Sequence, residues 1–148
     1  PTRRSSDLRL LKGGKGKMNE ILKFLKDSSI FYLATVDGSE PKVRPFGFVM
    51  KYKNKLCFST SNKKNVYKQL KASPKFEICG VCGTDKWIRL KGKASFITTE
   101  DSKRAALEEM PALKKLYSVD DPTFEIFCAE EAEATFYNMK GESRTVKL

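Results

Sequence analysis

The stretch "CFSTSNKKNVYKQL", Cys57 to Leu70, decides how the chain is read. It gives a short β-rich run, a polar turn, and then Val66 and Leu70 at the i, i+4 spacing of a helix that buries one side. Ser61 or Asn62 is the expected helix N-cap. Lys63 and Lys64 then fall where the positive end of the helix dipole disfavours cations. One explanation is a solvated helix start. The other is an anion cradle, in which Ser59, Thr60, Ser61 and the first-turn amides hold a phosphate and the lysines supply counter-charge. The stretch lacks the glycines of a P-loop or dinucleotide fingerprint, so spacing alone does not choose.

Outward from this stretch the chain alternates short β-rich runs with tight turns. "NEILKFLKDS" puts Ile21, Leu22 and Leu25 on one helical face. "IFYLATV" (30–36) is a strand ending in an Asp37-Gly38 turn, and "KVRPFGFVMKY" (42–52) reads as the next. Pro74 closes the helix of the opening stretch, "KFEICGVCG" (75–83) resumes strand character, and "WIRLKGKASFIT" (87–98) is a long strand. "TEDSKRAALEEM" reads as a solvated helix ended by Pro111. "FEIFCAEEAEATFYN" is two strands or one bent strand, and "GESRTVKL" gives a last short one. Six or seven strands joined mainly by hairpins, with two or three helices, predict a mainly β (α+β) fold: a mostly antiparallel, closed or half-closed barrel with helices at its rim.

Composition narrows the chemistry. The 148 residues carry a net charge of +11 and no histidine. The lack of histidine excludes Ser-His and Cys-His nucleophiles and His-ligated zinc or haem. Residues 1–17 are polar and basic, carry +5 of the excess, and contain no apolar core of a signal peptide. They are expected to be a non-native or disordered tail, with a single domain over residues 18–148. No apolar run reaches the roughly 20 residues of a membrane span. Without a secretion signal, Cys57, Cys79, Cys82 and Cys128 are expected as reduced core thiols of a cytoplasmic protein. The lone CxxC at 79–82 lies on a strand that points its thiols to opposite faces.

Two further anomalies bear on function. In "VRPFGF" a proline removes a ladder donor inside a strand and a glycine adds no packing, which fits a bulge, an edge, or a backbone approached by something flat. Alternation puts Arg44, Phe46 and Phe48 on one face. Trp87, the sole tryptophan, shares a face with Arg89 and Lys91 opposite Ile88 and Leu90, a pattern suited to a partner subunit or ligand.

Taken in order, the first helix, "IFYLATVDGSEPKVRPFGF", "LCFSTSNKKNVYKQL", "WIRLKGKASF", "DPTFEIF" and "EATFY" resemble the pyridoxamine 5'-phosphate oxidase-like flavoproteins. The resemblance covers nearly all of Met18 to Leu148. It implies a split β-barrel that binds FMN at a homodimer interface. Arg44, Pro45, Phe46 and Gly47 would line the isoalloxazine ring; Thr60, Ser61, Lys63 and Lys64 would hold the phosphate; Trp87 and Arg89 would lie near the subunit interface. The family's oxidase carries an arginine and a histidine near its C-terminus for pyridoxal phosphate. Here only Arg144 is nearby, so that activity is not expected. The expectation is an FMN-dependent oxidoreductase with no catalytic side chain and no metal, taking electrons from a small molecule such as NAD(P)H. A deazaflavin in place of FMN, a flavin carrier or sensor without turnover, and a basic barrel for single-stranded nucleic acid are the alternatives.

Overall fold

The computed structural model describes residues 14–148. Helix α1 (Gly14–Ser28) is followed by β1 (Phe31–Asp37), β2 (Glu40–Phe46), β3 (Met50–Tyr52) and β4 (Lys55–Ser61). Then come α2 (Asn65–Ala72), β5 (Lys75–Cys82), β6 (Lys86–Phe96), α3 (Glu100–Glu109), a 3-10 turn (Pro111–Lys115), β7 (Phe124–Asn138) and β8 (Ser143–Lys147). Helix α1 includes residues 14–17 of the expected tail; the earlier part of that tail lies outside the described residues.

The eight strands form one sheet in the order β2-β1-β5-β6-β7-β4-β3, with β8 added to β7, and every pairing is antiparallel. This is one strand more than the sequence predicts. The expected run over 42–52 is in fact two strands. Pairing of β2 stops at Phe46 and that of β3 begins at Met50. In between, no backbone hydrogen bond ties Gly47, Phe48 or Val49 to another described segment. β2 and β3 are the two edges of the sheet, so the barrel is split here. The break also overturns the expected alternation: Phe46 packs into one core cluster and Phe48 into another.

The larger cluster fills the concave side of the sheet. Ile21 and Leu25 of α1 meet Phe31, Leu33, Phe58, Ile78, Ile88, Leu90 and Phe127, all fully buried. The Phe46 ring reaches Phe127 at 6.2 Å between centroids, which shows how far the sheet curls. The smaller cluster, around Phe124, Ile126 and Met50, takes Ala106 and Leu107 of α3. Helix α3 is therefore not the wholly solvated helix expected. Its N-terminus is held by a capping box, with Thr99 accepting from the Ser102 amide and Ser102 from the Thr99 amide.

The cysteine expectation is corrected in part. Cys57 of β4 and Cys128 of β7 are register partners with Cα atoms 4.1 Å apart, and the structure joins them as a disulfide. Cys79 and Cys82 are free. They point to opposite faces as expected, with the Cys82 sulfur against Ser28 and the Phe24 carbonyl. Burial pushes the Cys79 thiol up from its ordinary value. Among the described residues no helix is long and apolar enough to cross a membrane.

Candidate functional site

The turn from β4 into α2 is where the resemblance implies a phosphate, and its local structure is unusual. The helix begins at Asn65, not after Ser61 or Asn62. Its N-cap is Lys64, which offers no side-chain hydrogen bond, and the first turn contains no acidic residue. The two expected caps are used elsewhere. Ser61 Oγ accepts from the Lys63 amide at 3.2 Å. Asn62 Nδ2 donates to the Pro122 carbonyl and to Glu125 Oε2, both at 2.9 Å, and its backbone amide donates to Thr123. Glu125 in turn accepts from the Thr98 hydroxyl at 2.7 Å. The turn is thus braced from behind by the loop that precedes β7.

Thr60 lies one residue before the end of β4. It is 3 % exposed, and its hydroxyl is the one buried side-chain polar atom among the described residues without a hydrogen-bond partner. Such an orphan costs free energy unless a ligand or water completes it. Lys63 and Lys64 are exposed, and neither makes an ion pair among the described residues. An uncapped helix start, two unpaired ammonium groups and an orphaned hydroxyl therefore occur together within six residues. This chemistry suits a phosphate ester.

Arg44 is half-buried on β2. Its Nη1 donates to Thr35 Oγ1 at 2.8 Å and to the Leu33 carbonyl at 3.1 Å, and its Nη2 to Gln69 Oε1 at 2.6 Å. Burial lowers its pKa from the ordinary arginine value. Pro45 faces outward and is exposed, while Phe46 packs inward. Gly47 lines a recess of about 400 Å³ with Phe48, Val49, Lys26, Ser29, Glu109 and Met110; of the three residues of the split, Gly47 is exposed, and Phe48 and Val49 are buried. A second recess of about 590 Å³ opens beside β1 and β5 over Phe76 and contains none of the expected site residues.

Trp87 and Arg89 lie on the outer face of the sheet, the side away from the larger core cluster. The Trp87 ring stacks on Tyr137 at 5.3 Å and 8°. Arg89 Nε donates to Glu77 at 2.6 Å, and that pairing raises its pKa. Arg44 packs on the inner face, so the chain does not bring the two arginines together. The outer face is apolar toward β1 and β2. Val43 is 67 % exposed and Tyr32 50 %, with Ile30, Val36 and Val81 also open. Sequence reasoning did not identify Gln69, because its partners come from β1 and β2, and it did not identify this apolar face.

An eight-stranded antiparallel sheet, split at 47–49 and carrying helices at its edges, is the architecture of a split-barrel protein. The family model described as pyridoxamine 5'-phosphate oxidase matches residues 18–138, and the chain belongs to that family. Its fold is similar to that of a NimC/NimA family protein from Clostridium acetobutylicum, with 42 % identity, TM-score 0.85, and coverage of 88 % of this chain and 92 % of that one. It is also similar to a pyridoxamine 5'-phosphate oxidase-related, FMN binding protein from Nostoc punctiforme, with 16 % identity, TM-score 0.58 and coverage of 92 % and 96 %. A heme binding protein from Mycobacterium smegmatis shares the fold at 15 % identity and TM-score 0.66, covering 83 % of this chain and 57 % of that one. No curated protein sequence matches the chain.

Proposed function

We propose that the protein is an FMN-binding oxidoreductase acting as a homodimer, with the flavin phosphate docked at the β4–α2 junction. The observation that carries this reading is the buried, partnerless Thr60 hydroxyl at a helix start that has cationic side chains and no cap. In this reading the Thr60 hydroxyl and the first amides of α2 donate to phosphate oxygens, and Lys63 and Lys64 offset their charge. The exposed backbone of Gly47, released from the sheet, offers its polar groups to the edge of the ring. The bound flavin supplies the electron transfer, and the chain binds and orients it.

Family membership and a fold shared with an FMN binding protein support the cofactor. The lack of histidine favours flavin over His-ligated haem. The apolar outer face around Tyr32 and Val43 supports a second copy as its cover, because an exposed patch of this kind marks an interaction surface. A small-molecule donor such as NAD(P)H completes the reading. The nucleic-acid reading is weaker, since none of the ten phenylalanines is exposed for base stacking.

The test is to denature the purified protein, look for released flavin, and titrate the apoprotein with FMN and riboflavin. Release or uptake of FMN is expected; the absence of both would defeat the proposal. Lys63→Ala with Lys64→Ala should weaken FMN more than riboflavin; an equal loss for both would show that the lysines do not hold phosphate.

A further inference from the structure

Four arginines lie among the described residues, and three are neutralised by carboxylates: Arg89 by Glu77, Arg104 by Glu100 and Arg144 by Glu20. Arg44 is the exception. All three of its side-chain hydrogen bonds go to neutral acceptors: a backbone carbonyl, a hydroxyl and an amide oxygen. The arrangement closes on itself, because the Thr35 hydroxyl also donates to Gln69 Oε1, at 2.6 Å. Thr35 and Gln69 are almost fully buried. One amide oxygen of α2 thus collects a strand hydroxyl from β1 and a guanidinium from β2.

A carboxylate at position 69 would accept the same two hydrogen bonds and would also cancel the charge. The amide keeps the geometry and leaves the cation uncompensated. A partly desolvated cation without a counter-charge is costly to hold, unless an anion arrives to complete it. Gln69 belongs to the same helix whose first turn forms the phosphate cradle, so the network fixes Arg44 relative to that cradle.

We infer that Gln69 is a positioning residue that holds Arg44 as an uncancelled positive charge for the anionic group of the bound cofactor. This rests on the flavin reading above, and it assigns a role to a side chain that touches no ligand itself. Glutamine is required at this position for its neutrality as much as for its hydrogen bonds.

The substitutions Gln69→Glu and Gln69→Leu separate bracing from electrostatics. Dissociation constants for FMN and for riboflavin are measured alongside the thermal midpoint of the apoprotein. Gln69→Glu is expected to keep the midpoint at or above the native value and to leave riboflavin affinity within about twofold. It should weaken FMN by about tenfold, the worth of one hydrogen bond to a charged group. Gln69→Leu should lower the midpoint, since it leaves Thr35 and Arg44 without their acceptor. An unchanged ratio of FMN to riboflavin affinity in Gln69→Glu would reduce Gln69 to a brace and overturn the inference, as would an equal loss for both ligands. A native protein that binds neither flavin would instead defeat the flavin reading, and this inference with it.

Discussion

Replacing Thr60 by valine exchanges a buried hydroxyl for a methyl of similar shape, and the structure fixes the sign of two separate effects. In the apoprotein the hydroxyl has no partner and is 3 % exposed. Leaving such a group unsatisfied costs about 1–3 kcal/mol. Removing it should therefore stabilise the apoprotein by about 1 kcal/mol, a rise of roughly 2–5 °C in midpoint for a domain of this size. In the proposed FMN complex the same hydroxyl would donate to phosphate. Its loss should cost about 1.5–3 kcal/mol of FMN affinity, roughly tenfold to a hundredfold. Differential scanning fluorimetry of apo and FMN-loaded protein reads the first effect, and calorimetric titration reads the second, with riboflavin as the control that should barely change. The variant is expected to be more stable empty and to gain less from ligand. A lower apo midpoint, or unaltered FMN affinity, would refute the assignment of Thr60 to the cradle.

Two further outcomes follow from features away from the cradle. The Cys57–Cys128 link spans 71 residues, for which loop entropy suggests about 4 kcal/mol. Dithiothreitol should lower the native midpoint but leave the Cys57→Ser, Cys128→Ser double variant unmoved, and denatured native protein should show two reactive thiols before reduction and four after. Asp121 is held below its ordinary 3.8 by the Thr123 hydroxyl and amide. Its folded pKa is depressed, so its contribution is present above the unfolded value and is lost as pH falls through the folded one. Thr123→Ala should be less stable than native protein at pH 7, and denaturant titrations should show the gap narrowing as pH drops below about 4.

Much of this was legible along the chain because it depends on near neighbours. The inward set of Ile88 and Leu90 opposite Trp87 follows from alternation alone, and the structure keeps it. Pro45 and Gly47 marked the place where pairing fails, although one long strand was expected across it. What escaped was set by distant partners. Asn62 looks like a helix cap in isolation, but Pro122 and Glu125, some sixty residues away, compete for its amide. Cys57 looks like a lone core thiol until β7 brings Cys128 opposite it. Gln69 reads as an ordinary polar helix residue, and only the curl of β1 and β2 onto α2 gives its oxygen two donors.

The fifteen residues of β7 pair with β4, β6 and β8, and they are synthesised after every other strand of the sheet except β8. Until they emerge, β4 lacks the neighbour that joins it to the rest of the sheet, and Phe127 is missing from the middle of the aromatic cluster. Vectorial synthesis therefore cannot complete this domain piecemeal. The nascent chain waits with unsatisfied strand edges, and closure comes as a late, long-range event, a topology that slows folding and prolongs exposure to chaperones.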